Sequence, residues 1–138
     1  MNKDATQRAT RSALGGKVLP LAQLVLRTAG VILIVLGLII WLGRVDALIP
    51  AHIVIGLIFV LALWAMAYLA ARARVAPGMV AAGLIWGLVI PIVGVLQVNL
   101  LPGATHWVIQ AVHLLIGMVG IGLGESLGAG IRRLESQG

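Results

Sequence analysis

Gln110-Ala-Val-His-Leu-Leu-Ile-Gly-Met-Val-Gly-Ile-Gly-Leu-Gly124 is apolar enough to lie in a bilayer, yet it carries a glutamine and a histidine. A second histidine, His106, stands just upstream. An ionisable side chain in a membrane helix is costly, which makes it a functional-site candidate by default. At helical spacing His106, Gln110, His113, Gly117, Gly120 and Gly124 share one stripe. One half of that stripe is polar and the other half has no side chains. A flat or close-packing object could rest on it, either a neighbouring helix or a bound group.

The rest of the chain is built on the same apolar plan. Of its 138 residues 61% are hydrophobic and 10% charged, with a mean hydropathy of +1.11. Soluble domains carry about a quarter charged residues, so the composition is that of an integral membrane protein. Cysteine is absent, which excludes disulfides, thiolate metal sites, iron–sulfur clusters and covalent c-type haem attachment. The basic residues cluster beside apolar runs, which reads as membrane topology with some attraction to anionic headgroups, and no nucleic-acid partner is expected.

Four apolar runs, about 22–43, 51–71, 78–98 and 104–125, each approach the ~20 residues needed to span a bilayer core. Pro20, Pro50, Pro77 and Pro102 stand at or just before their starts, where a missing N–H costs nothing. Pro91 falls inside the third run, where it should kink the helix. Short connections make successive helices antiparallel neighbours. The expected fold is all-α, an up-down-up-down membrane bundle at 20–127, between a basic tail at 1–19 and a second tail at 128–138.

Nine of the ten Lys and Arg flank the runs on one side, leaving Arg44 alone on the other. Both termini are therefore expected in the cytoplasm, with the protein in a bacterial inner membrane. Trp41 and Trp107 mark the outer ends of helices 1 and 4. Ala51-His-Ile-Val-Ile-Gly-Leu-Ile58 parallels Val112-His-Leu-Leu-Ile-Gly-Met-Val119, so helices 1–2 and 3–4 read as a parallel repeat.

All three histidines, with Gln97, Asn99 and Gln110, belong to the outer half. His-x-x-x-Gly has a physical rationale for haem. A histidine pointing into a bundle can ligate iron, and a porphyrin then needs clearance on the next turn, which Gly56 and Gly117 supply. Two neutral imidazoles from facing helices would hold a six-coordinate haem b. Gln110 is placed to orient an imidazole N–H or a ring substituent, and Arg44 to pair with propionates.

Two rulers disagree over which histidines pair. His52 is two residues past Pro50 and His113 eleven past Pro102, a difference of ~13 Å at ~1.5 Å per residue. That ruler pairs His52 with His106. Counting back from Arg72 and Arg132 makes His52 and His113 level, and the repeated motif favours this second pairing. His106 remains the alternate ligand.

The plainer alternatives are interfacial roles for His52 and His106, and a hydrogen bond from His113 to Gln97 or to a carbonyl freed by Pro91. Gly83-x-x-x-Gly87, Gly120-x-x-x-Gly124 and Gly124-x-x-x-Gly128 read as close-packing helix surfaces, which also allow a homo-oligomer. Trp64 and Trp86 read as packing residues. Met66, Met79 and Met118 form no cluster with histidine that would favour copper.

The segment Leu88–Gly124, with its turn Asn99-Leu-Leu-Pro-Gly103 and Ala111-Val-His-Leu-Leu-Ile-Gly117, resembles helices 3–4 of one half of the haem A synthase family. More loosely, it resembles small b-type membrane cytochromes. The family resemblance implies a four-helix bundle with one haem ligand on its second helix and one on its fourth. By position these are His52 and His113. This chain has a single bundle, no glutamate before His52 (the nearest acid is Asp46) and no arginine after either histidine. Oxidation of a haem methyl group is therefore not implied.

The expected function is haem binding with electron transfer, the partner being a redox protein, a quinol or a larger membrane complex. The alternative is an accessory subunit without chemistry of its own. A transporter ranks below both, because Asp46 and Glu125 lie at helix ends and leave no carboxylate at mid-membrane to couple protons. No nucleophile–base–acid constellation is visible, so independent substrate chemistry is not expected.

Overall fold

The computed structural model describes residues 3–43 and 45–137, with side chains described from residue 17 onward. Among these residues there are four α-helices: α1 (Lys3–Gly43), α2 (Ile49–Arg72), α3 (Pro77–Leu96) and α4 (His106–Glu135). Single 3-10 turns at Asp46–Leu48, Gln97–Asn99 and Gly103–Thr105 join or end them. All four helices are long and apolar enough to cross a membrane, the apolar stretches being Lys17–Gly43, Asp46–Arg72, Pro77–Asn99 and Gly103–Glu135. The described residues thus form an all-α four-helix bundle in which every helix is a candidate membrane span.

Two helices outrun the apolar runs that announce them. α1 begins at Lys3, which leaves Pro20 in its interior rather than at its start. α4 continues ten residues past Glu125, and there Gly128 still packs on Gln23 and Met66, and Gly130 on Val75. Pro50 and Pro77 do stand in the first turns of α2 and α3. The α2–α3 turn closes with two backbone bonds, Val75 N–H to the Ala70 carbonyl and Arg74 N–H to that of Ala71. This is the pattern of a left-handed helix stop, with Arg74 at φ 63° in place of the usual glycine.

Contacts between neighbours run antiparallel. Gly37 meets His52 and Gly30 meets Phe59 across α1–α2, Gly83 meets Ala67 and Gly87 meets Trp64 across α2–α3, and Gly94 meets His113 and Gly83 meets Leu127 across α3–α4. α4 closes the ring on α1, where Leu26 lies on Gly124 and Ile121 on Gly30. Lipid tails are as apolar as leucine, so helices associate through close van der Waals packing rather than hydrophobic transfer. Glycine permits that approach. A methyl at Gly124 would stand 2.5 Å from a Leu26 carbon, and one at Gly120 2.8 Å from Ile90.

Indole N–H groups clip the helices together. Trp64 donates to the Leu84 carbonyl at 3.2 Å and Trp86 to that of Ile116 at 2.8 Å. On the α1–α4 seam, which has no loop, Arg27 holds Glu125 through two bonds of 2.6 Å. One turn from Arg27, Arg132 donates to Gln23 Oε1, also at 2.6 Å.

The core is confined to one half of the bundle. Leu26, Phe59, Leu63, Met66 and Leu127 are its largest fully buried side chains. Among the described residues, none in 31–58 or 91–119 is fully buried. Phe59 lies across the boundary, 2% exposed, its ring near both Gly30 and Gly120. Tight packing stops at that ring. Beyond it lies the half that holds the histidines.

Candidate functional site

His52 sits in the first turn of α2 and His113 in the second turn of α4. Their ring centroids are 6.3 Å apart, with the planes tilted by 51°. The unequal distances from Pro50 and Pro102 are absorbed locally. α4 starts only at His106, after the 3-10 turn at Gly103–Thr105, and Gly103 takes φ 81°, which suits glycine. The two prolines are therefore not level, and counting back from Arg72 and Arg132 is the ruler that matches the structure. His106 stays at the mouth of the connection, its Nδ1 3.2 Å from the Leu100 carbonyl.

Nδ1 of His52 and Nδ1 of His113 are both buried with no hydrogen-bond partner. An unpaired polar atom in an apolar interior is costly, and each such atom in a native fold needs a reason. The proposed bond from His113 to Gln97 or to a Pro91-freed carbonyl is not made by this nitrogen. Gln97 itself is half-buried in the 3-10 turn that follows α3.

The remaining residues singled out in the sequence are distributed as follows. A Cβ at Gly117 would meet nothing within 4 Å, and one at Gly56 only a Leu33 methyl at 3.9 Å. Both glycines beyond the histidines thus border open space, unlike Gly120 and Gly124 further along the same stripe. Gln110 is half-buried one turn before His113. Arg44 lies outside the described residues.

Two site residues escaped the reading of the sequence. A Cβ at Gly37 would stand 3.5 Å from Cε1 of His52, and one at Gly94 3.2 Å from Cε1 of His113. Each imidazole is seated on a glycine of the preceding helix. A signal for them does exist, since Gly30 and Gly37 are spaced as Gly87 and Gly94 are. The repeat also extends along the partner helices. Phe59, Leu63, Met66, Ala67 and Ala70 of α2 are buried, and so are Gly120, Gly124, Leu127, Gly128 and Ile131 of α4. Each member of the second set follows its counterpart by the same interval that separates His113 from His52. Phe59 against Gly120 and Leu63 against Gly124 are large-for-small exchanges, which let diverged copies interlock.

Chemically, the arrangement offers two imidazoles and little else. No group of three or more His, Cys, Asp or Glu that could hold a metal ion occurs among the described residues. A closed tetrahedral site needs four ligands. Two imidazoles instead suit a metal whose equatorial ligands come with it, as in a macrocycle. An imidazole nitrogen binds a transition metal at about 2.0–2.1 Å, so two rings on opposite sides of one ion hold centroids about 6 Å apart. The observed 6.3 Å matches that separation. The clearance at Gly56 and Gly117 is compatible with the same group, while ligation through Nε2 would leave both Nδ1 atoms unpaired. No family model, no curated protein and no solved structure matches this chain.

Proposed function

We propose that this chain is a membrane-embedded b-type haem-binding protein that transfers electrons, with His52 and His113 as the residues that would hold the haem. The observation that carries the reading is the 6.3 Å approach of two imidazoles from diagonal helices, in the half of the bundle that lacks a packed core. Bound haem would supply one-electron redox chemistry, with a potential set by its axial ligands, hydrogen bonds and burial. The chain's own contribution is to present two imidazoles from rigid helices and to keep the space beside them clear at Gly56 and Gly117. Phe59 closes the site towards the packed half.

In this reading the histidines lie near the outer face and both termini in the cytoplasm, as the asymmetry of Lys and Arg favours. The electron donor or acceptor is a quinol or a redox protein, reached at the outer surface or through the bilayer. The proposal carries over the haem-holding part of the haem A synthase resemblance and none of that family's oxidation chemistry.

The test is spectroscopic. Protein purified in detergent, or titrated with haemin, is expected to show a low-spin Soret band and a reduced α-band at one haem per chain. Folded protein that stays colourless under saturating haemin would reject the assignment.

A further inference from the structure

The seats of the two imidazoles carry an inference that rests on the haem reading and deepens it. Cε1 lies between the two ring nitrogens, so a side chain packed against that edge would limit how the ring can sit about its bond to Cβ. A Cβ at Gly94 would come within 3.2 Å of Cε1, 3.8 Å of Nε2 and 4.0 Å of Nδ1 of His113. It would press on the ring edge that bears both nitrogens. Gly37 stands in the same relation to His52, with 3.5 Å to Cε1. The contact occurs twice, once in each half of the repeat, between a first-helix glycine and a second-helix histidine. Neither ring has a partner on Nδ1, so no hydrogen bond from that atom fixes the ring plane, as commonly happens for metal-bound imidazoles. Steric contact is left to do it.

We propose that Gly37 and Gly94 are positioning residues that set the planes of the His52 and His113 imidazoles, and so the angle between the two rings that would hold the haem. That angle governs the splitting of the iron d orbitals, and the g values of a low-spin ferric centre report it. A side chain at Gly94 would make the His113 ring give way by a few tenths of an ångström. At Gly37 a methyl group fits at ordinary contact distance, so a branched residue is needed to turn His52.

The experiment records frozen-solution EPR of the full-length protein loaded with haemin, with haem content and helical circular dichroism measured on each sample. Gly94→Ala and Gly37→Val are expected to shift the low-field g value by more than a linewidth at unchanged haem content. Gly122→Ala, which would meet nothing within 4 Å, is expected to leave it in place. Identical g values in wild type, Gly94→Ala and Gly37→Val, with haem retained, would overturn the proposal. Should Gly94→Ala lose its helical signal, Gly37→Val alone decides. A wild type with no low-spin signal removes the haem reading itself, which is a different result from unchanged g values.

Discussion

His52 and His113 are the residues on which the functional reading turns, and single substitutions separate them from His106. His52→Ala and His113→Ala should each abolish the low-spin absorbance of the haemin-loaded protein, whereas His106→Ala should keep it. Loss of absorbance in His106→Ala alone would reassign the ligand. The glycines divide in a similar way. Gly124→Ala forces Leu26 to move and should cost about 1–3 kcal/mol, as overpacking does, in reversible unfolding of the haem-free protein. Gly117→Ala faces open space and should change haem-free stability by no more than about 1 kcal/mol, in the stabilising direction given alanine's helix propensity. Under the haem reading it should nevertheless weaken haemin binding. Equal binding by wild type and Gly117→Ala would show that the clearance there serves no cofactor. His-x-x-x-Gly was legible in the sequence because it is local to one helix. Gly37 and Gly94 share a repeated spacing in the sequence, but their contact with the imidazoles was not legible, because a contact between helices depends on how the helices rotate against each other.

At the scale of elements, the packed half and the open half of each helix have different causes. From Phe59 onward α2 inserts large residues opposite the glycines of α4, and dispersion between close surfaces holds them. Phe59→Ala should cost about 3–5 kcal/mol in unfolding experiments, the range for removing a buried aromatic ring. Loss of well under 1 kcal/mol would mean the ring is no keystone. The α1–α4 seam has no loop to close it and relies on Arg27–Glu125 and Gln23–Arg132. Glu125→Arg should lower the melting temperature through like-charge repulsion, and Arg27→Glu in the same chain should recover it. Failure of the double variant to recover would show that the pair does not hold the seam. The sequence placed Arg27 and Glu125 beside the apolar runs without pairing them, since the two lie 98 positions apart.

The described residues form two helical hairpins joined at Arg72–Pro77, and the buried positions of α4 follow those of α2 at the interval that separates His113 from His52. Each hairpin supplies one histidine and one glycine seat, and the paired site exists only where the two meet. Topology is testable without background because the chain has no cysteine. With inside-out and right-side-out vesicles and a membrane-impermeant maleimide, Asn99→Cys should be labelled from the outer side and Ser136→Cys from the cytoplasmic side. The opposite pattern would invert the molecule and move the histidines to the inner leaflet.

The sequence by itself determined the four spans, their antiparallel order and the repeated His-x-x-x-Gly. Hydropathy, proline position and short connections are local properties that no partner helix has to supply. It did not determine where α1 begins or α4 ends, because α1 starts at Lys3 and α4, still packed at Gly128 and Gly130, runs on to Glu135. Nor did it settle which histidine faces His52, since counting from the prolines and counting from the charges gave different depths. Only the tertiary structure decided that, through a 3-10 turn that delays α4 and a stack of glycines that fixes the register of the helices. The physical reason is that helical rise is a per-residue quantity, while relative depth and rotation belong to the interface between two helices.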